Sequence, residues 1–368
     1  MGHNADSENP SWAELLGSNH WAGLLDPLDY SLRCLLLKFG DVCQVTTDSY
    51  ITALDSKKYS GNCSYSMDRL LDQTFFTYAA DYHVVQYLIA NSQGWMGYVA
   101  VSNSAHADGS GVREIYVVWR GTEGTKEWCD DIPKTLVPFD DSTSDVPMVM
   151  KGWFEIYTVV ADVQTKESAR EQLLAKIKEL VEQYKDESLS IVCLGHSLGG
   201  ALAILSAYDI VRSGLSKIGE KEEFPVCTMV FGSPRVGNQA FSDSWAKLPN
   251  LRALRVLNKD DLDIPNFPPT SDGYVDIGTV LTVDSRKSPC LKTNHDRHNL
   301  QVNLHTVAGW TGENGDFDCT IVKRSLALVN KHGGYLSINP ALPSWWAEKN
   351  KRMVRGEDGL WSELPPES

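Results

Sequence analysis

The stretch from Leu189 to Val211 constrains this chain more than any other. Ile191 to Leu194 is a short apolar run and reads as a buried strand. Gly195-His196-Ser197-Leu198-Gly199 follows and fits G-x-S-x-G. The Ala- and Leu-rich segment after it is a good helix former. Strand, sharp turn and helix in that order make a nucleophile elbow. The serine sits on a strained turn, and glycine on either side lets strand and helix approach closely. The hydroxyl then stands near a helix N-terminus, whose free N–H groups favour developing negative charge. The pentapeptide alone is common by chance, and the strand before it and helix after it give it weight.

At 368 residues the chain is long enough for a large core, and a single α/β domain with insertions fits that length. Hydrophobic content of 42% and charged content of 22% are those of an ordinary soluble globular protein. A net charge of −14 argues against nucleic acid as a partner and against electrostatic docking on anionic lipid. The eight cysteines are scattered with no C-x-x-C, so a reducing, cytoplasmic compartment is expected rather than a disulfide framework. Cys193 and Cys227 fall inside apolar runs, where buried free thiols are common. The N-terminus is polar and acidic, without a signal or transit pattern, and no run of about 18 apolar residues marks a transmembrane helix.

Taken in order, residues 1–10 read as disordered and 11–368 as one domain, its catalytic core at about 80–310. Trp12 to Leu16, Asp29 to Thr47 and Met67 to Thr77 read as helices, and Tyr82 to Ile89 and Trp95 to Val101 as strands. Glu114 to Thr122 is a strand ending in Arg120-Gly121-Thr122. Residues 123–147 form a long excursion, the kind that covers a site when it interrupts a compact domain. Glu167 to Tyr184 is an amphipathic helix, Pro225 to Phe231 a strand and Gln239 to Lys247 a helix. Leu251 to Leu257 alternates like a strand, Tyr274 to Val283 reads as a strand pair, and His298 to Gly309 and Ser325 to Asn330 as helices. The tail carries Trp345, Trp346 and Trp361 and is expected to fold back on the body. Strands alternating with helices in the middle predict a doubly wound, mostly parallel α/β sheet.

A serine hydroxyl needs a base within hydrogen-bond reach, and the base needs an orienting acid. For a serine on a strand-to-helix elbow, the acid and then the histidine follow in the chain. Asp260, Asp261 and Asp263 all lie past the strand 251–257, and as a cluster they equally describe a solvated loop. His295, His298, His305 and His332 come later. His298 and His305 are seven apart and share a face of the expected helix. His295 and His298 lack the further ligands of a zinc site, so no metal is expected. His196 reads as packing beside the turn. The oxyanion needs two donors: the backbone N–H of Leu198, and Thr122 with its N–H and hydroxyl.

Several motifs together resemble one family. Val117-Val-Trp-Arg-Gly-Thr122, Glu127-Trp128, Gly195 to Gly199, Phe231-Gly-Ser-Pro234, Arg255-Val256 to Asn258 to Pro265, and His298-Asn-Leu to Leu304-His305 resemble the class 3 (fungal-type) lipases. Within that family the chain resembles the plant phospholipase A1 type II group, the cytosolic branch, from Trp21 to the tail. The resemblance implies an α/β-hydrolase fold and hydrolysis of the sn-1 acyl ester of glycerolipids, with no cofactor. It also implies transient contact with a membrane or micelle surface. It assigns Ser197 as nucleophile, Asp261 as acid, His298 as base and Thr122 to the oxyanion hole. An extra residue around Leu262-Asp263 departs from the family pattern and keeps Asp260 and Asp263 as alternatives. His298-Asn-Leu-Gln-Val-Asn-Leu-His305 lacks the family's acid and tyrosine there, which bears on substrate choice.

Overall fold

The apolar runs in the middle of the chain are near-continuous because the strands they form are covered on both faces. Seven strands build the main sheet: β1 Tyr82–Ala90, β2 Gly94–Ser102, β3 Arg113–Trp119, β4 Leu189–His196, β5 Val226–Phe231, β6 Leu251–Asn258 and β7 Thr279–Val283. Their order across the sheet is their order along the chain. β1–β2–β3 pair antiparallel, and β3 through β7 run parallel. The computed structural model describes residues 9–51, 61–90, 94–105, 110–122, 132–140, 146–160, 166–219, 223–337, 344–346 and 353–363. Residues 1–8 of the expected disordered terminus, and 123–131 and 141–145 of the expected covering excursion, lie outside them.

Successive side chains of each strand enter two different cores. Ile115, Val117, Ile191, Cys193, Val226 and Val230 face one of them. Tyr116, Val118, Val192, Leu194, Met229 and Phe231 face the other. Two helices cover each core: α2 Ala169–Gln183 and α3 Leu198–Arg212 the first, and α1 Tyr30–Ser49 and α4 Leu300–Gly309 the second. α1 contributes Leu32, Leu36 and Phe39, and α4 contributes Leu300, Leu304 and Val307. α2 begins at a capping box made by Ser168 and Glu171. α3 is buried from Leu198 through Val211, which is why its sequence is apolar all round rather than amphipathic. This is the α/β-hydrolase type of architecture, with a mostly parallel sheet between helices.

Four local expectations give way to tertiary detail. Met67 to Thr77 is helical only over Leu70–Gln73: the Thr74 hydroxyl bonds back to the Leu70 carbonyl, and Phe75 turns left-handed at φ 57°. Tyr274–Val275 and Thr279–Val283 are strands but not a pair. The first joins a small four-stranded sheet with 136–138, 148–150 and 237–238, and the second is the edge of the main sheet. Leu326–Asn330 winds as a 3₁₀ turn. α4 starts at Leu300 because the Asn299 side chain accepts from the N–H groups of Gln301 and Val302. His298 therefore precedes the helix and does not share a helix face with His305. The tail does fold back: Trp345 is fully buried with its indole N–H on the Ala327 carbonyl, and Trp346 donates to the Asp48 carbonyl.

The elbow binds the sheet to α3 by backbone approach. A side chain on Gly199 would overlap the Trp119 carbonyl and stand 2.9 Å from the Arg120 carbonyl carbon. Neither backbone atom yields cheaply. Gly199→Ala is expected to destabilise by about 1–3 kcal/mol or more, read as a lower urea midpoint at unchanged slope. An unchanged midpoint would mean that α3 does not press on β3 as described.

Candidate active site

Every sequence-predicted site residue lies just past the C-terminal end of a parallel strand, where open α/β sheets place their sites. β3 runs into Arg120-Gly121-Thr122, β4 into Ser197, β5 into Gly232, β6 into Asp261, and the segment after β7 reaches His298. Ser197 has φ 57° and ψ −130°, a left-handed conformation that a non-glycine residue adopts at a cost of about 1–3 kcal/mol. The surrounding backbone enforces it: Ser197 N–H donates to the Phe231 carbonyl at 3.0 Å, and Gly200 N–H to the Ser197 carbonyl at 2.9 Å. Leu198 opens α3, so its N–H has no acceptor within the helix.

The imidazole and the acid meet directly. His298 Nδ1 lies 2.8 Å from Asp261 Oδ2. A carboxylate only accepts, so Nδ1 carries the proton and Nε2 of the neutral ring keeps a lone pair. Nε2 is buried and makes no hydrogen bond among the described residues. It is therefore not hydrogen-bonded to the Ser197 hydroxyl; in an unliganded site that bond is often long and tightens with substrate. Asp261 is buried, whereas Asp260 and Asp263 are exposed. Asp260 is left-handed at φ 64° and pairs with Arg286. Of the three acids left open by the sequence, Asp261 is the one against the ring.

Three further contacts hold this pair, and the sequence reading assigned none of them. Gly232, at φ 55°, leaves room for the ring: a Cβ there would stand 2.9 Å from His298 Cε1 and 3.4 Å from Asp261 Oδ2. Asn258 ends β6 and ties in the chain that bears His298. Its Nδ2 donates to Ser285 Oγ at 2.9 Å and to the Arg297 carbonyl at 3.0 Å, and its Oδ1 accepts from Ser285 N–H. His196 does more than pack. Its ring centroid is 4.7 Å from that of His298, and its Nε2 lies 2.7 Å from the His298 carbonyl. A carbonyl only accepts, so Nε2 carries the hydrogen.

The second oxyanion candidate is also at the elbow. A Cβ on Gly121 would be 3.5 Å from Ser197 Cβ. The buried Arg120 guanidinium donates to the Trp95 and Gly121 carbonyls at 3.0 and 2.7 Å and stacks 3.6 Å over the Tyr50 ring. Fixing the Gly121 carbonyl turns the N–H of the same planar peptide, that of Thr122, the opposite way. Gly121, Thr122, His196 and His298 line an open cleft of about 360 Å³, together with residues from both ends of the chain. Ser197 itself is 2% exposed. Of the other candidate histidines, His295 bonds Ser285 Oγ and His305 bonds Ser288 Oγ, outside the cleft, while His332 lines the cleft and bonds Asp48.

Residues 116–271 match the family model for lipase (class 3). A rice protein named phospholipase A1-II 5 is 47% identical, covering 98% of this chain and 84% of its own length. The chain belongs to the class 3 lipase family, in its phospholipase A1-II branch. Within that branch, phospholipase A1-IIdelta of Arabidopsis thaliana is 40% identical and covers 97% of both chains. Among solved structures, the triacylglyceride lipase of Rhizomucor miehei is 20% identical, with a TM-score of 0.49 over 69% of this chain and 81% of its own.

Burial drives two histidines of this class 3 lipase down from the ordinary 6.5, His196 to about 3, with His298 adding to the effect, and His305 to about 4. Each stays neutral in the fold while the unfolded chain takes up a proton. Their contribution to stability is thus full above pH 6.5 and is lost as pH falls toward 4. Two protons taken up on unfolding give a slope of up to about 2.7 kcal/mol per pH unit. Urea titrations across that window measure it, and His305→Gln should remove about half.

Proposed function

We propose that the protein hydrolyses carboxylic acyl esters of glycerolipids through a serine acyl-enzyme, with the sn-1 ester of phospholipids as substrate. The observation that carries this reading is the Asp261–His298 pair, whose Nε2 lone pair is buried and unengaged at the same strand ends as a strained serine. Ser197 Oγ attacks the carbonyl carbon as His298 Nε2 takes its proton. The Asp261 carboxylate holds Nδ1–H and stabilises the imidazolium that results. The tetrahedral oxyanion is met by the N–H of Leu198, at the start of α3, and by Thr122. Collapse expels the lipid alcohol, which receives the proton from His298. Water then attacks the acyl-enzyme, giving its proton to His298; collapse breaks the bond to Ser197 Oγ, which takes that proton back from His298 Nε2, and the fatty acid leaves.

Contact with a membrane or micelle surface, made transiently, is part of the reading, because the substrate resides there. A cytoplasmic location is part of it too. The fully buried thiols Cys43, Cys193 and Cys227, held protonated by burial, support it.

Ser197→Ala should lower kcat by about 10⁶-fold and abolish covalent labelling by a fluorophosphonate. Asp261→Asn should cost about 10⁴-fold, while Asp260→Asn and Asp263→Asn stay within a few-fold. Fatty acid released from phospholipids with different chains at the two positions reads the site of cleavage. Labelling that survives Ser197→Ala removes this serine from the mechanism, and transfer of the acyl group to an added alcohol in preference to water makes the protein an acyltransferase.

A further inference from the structure

Two sulfurs meet outside the active site, and the hydrolysis does not use them. Cys290 Sγ lies 3.9 Å from Cys319 Sγ across 29 residues of sequence. Both are free thiols, Cys290 buried and Cys319 exposed. Cys43, Cys193 and Cys227, by contrast, lie inside the two main cores, closed to solvent. A disulfide needs its sulfurs about 2.05 Å apart, so this pair must close by roughly 2 Å.

The two sides of the contact are unequal. Cys290 is held: its N–H donates to Ser288 Oγ at 3.2 Å, and its carbonyl accepts from Ser337 N–H at 2.8 Å. It packs with Leu291, Val302, Val329 and Leu336 in a small third core. Cys319 stands in a surface turn after α4, between the exposed Asp318 and Thr320. An exposed turn gives way more cheaply than a packed core, so Cys319 is the side that moves. Partial burial of its sulfur, and then Cys290, push the Cys319 thiol up to about 11. Little of it is thiolate at neutral pH, and its attack on an oxidant is slow. Once bonded, the same sulfur is a poor leaving group when a reductant attacks.

We propose that Cys290 and Cys319 form a redox-modification site for a small-molecule disulfide such as oxidised glutathione. Cys319 loses its proton to solvent and attacks one sulfur of that disulfide. The S–S bond of the oxidant breaks, one thiolate leaves and takes a proton from solvent, and a mixed disulfide remains on Cys319. Cys290 then loses its proton, attacks Cys319 Sγ and expels the second thiolate, which is protonated in turn. The protein dithiol has given up two electrons and two protons, and the small disulfide has become two thiols.

The covalent loop so closed runs from Cys290 to Cys319 and contains His298 and the whole of α4. Local opening of this segment then releases a tethered loop rather than a free stretch of chain, and gains less entropy. The oxidised protein holds α4, and the base against Asp261, more firmly than the reduced one. The site does not rest on the acyl-hydrolase reading.

The test uses the full chain. It is incubated with oxidised glutathione at mildly alkaline pH, free thiols are blocked with N-ethylmaleimide, and the peptides are identified by mass spectrometry. A peptide pair joined through Cys290 and Cys319 is expected. Amide exchange within Leu300–Gly309 should slow about tenfold or more on oxidation and return to its starting rate with dithiothreitol. Cys319→Ser, at an exposed position, should remove both the link and the slowing and leave exchange in the reduced protein unchanged. Glutathione that stays on Cys319 while Cys290 remains free overturns the site. So does a link between the Cys319 thiols of two molecules, or a pair that an excess of oxidised glutathione leaves reduced. A Cys290–Cys319 link with unchanged exchange in α4 overturns the tethering drawn from it.

Discussion

The contact on which the rest depends is backbone against backbone. α3 crosses the ends of β3 and β4 so closely that Gly199 leaves no room for a methyl group against Trp119. That closeness throws Ser197 into its left-handed conformation and points the first turn of a fully buried helix at the strand ends. Burial of α3 from Leu198 to Val211 holds the strain in place, since relieving it would lift a whole helix out of the core. Strain at the nucleophile and packing under the sheet are thus one arrangement.

Around that fixed point the remaining groups are brought in by polar stitches. Asn258 joins the end of β6 to Ser285 and to the Arg297 carbonyl, and so brings the chain bearing His298 to the acid three residues further along from Asn258. His196 holds the His298 backbone from the opposite side, and Arg120 fixes the Gly121–Thr122 peptide. None of these three side chains carries the chemistry. Each removes a freedom that the reacting groups would otherwise have to lose at the moment of reaction.

The elbow was legible because its requirements fall on contiguous residues: a strand, two glycines, a serine and a helix former. The sheet was legible for a similar reason, since doubly covered strands read as plain apolar runs. The acid was not legible from the residues alone. Asp260, Asp261 and Asp263 are chemically alike, and only the family resemblance singled out the middle one before the fold placed it at His298. The apolar spacing of His298 to Gly309 carries no sharp boundary, so the start of α4 is set instead by the Asn299 cap. The Asp48–His332 pair had no local signal at all. It joins the two ends of the chain, and nothing in an isolated aspartate at the close of an amphipathic helix marks it as buried.

Because the strands lie across the sheet in the order in which they are made, the site also assembles in that order. A chain emerging from the ribosome displays its serine hydroxyl long before it holds the acid, and the acid before the imidazole that must sit between them. The wall contributed by His332 and Tyr335 arrives later still and closes against a helix made near the beginning. The cleft around the imidazole is therefore complete only when segments from both ends of the described chain have met.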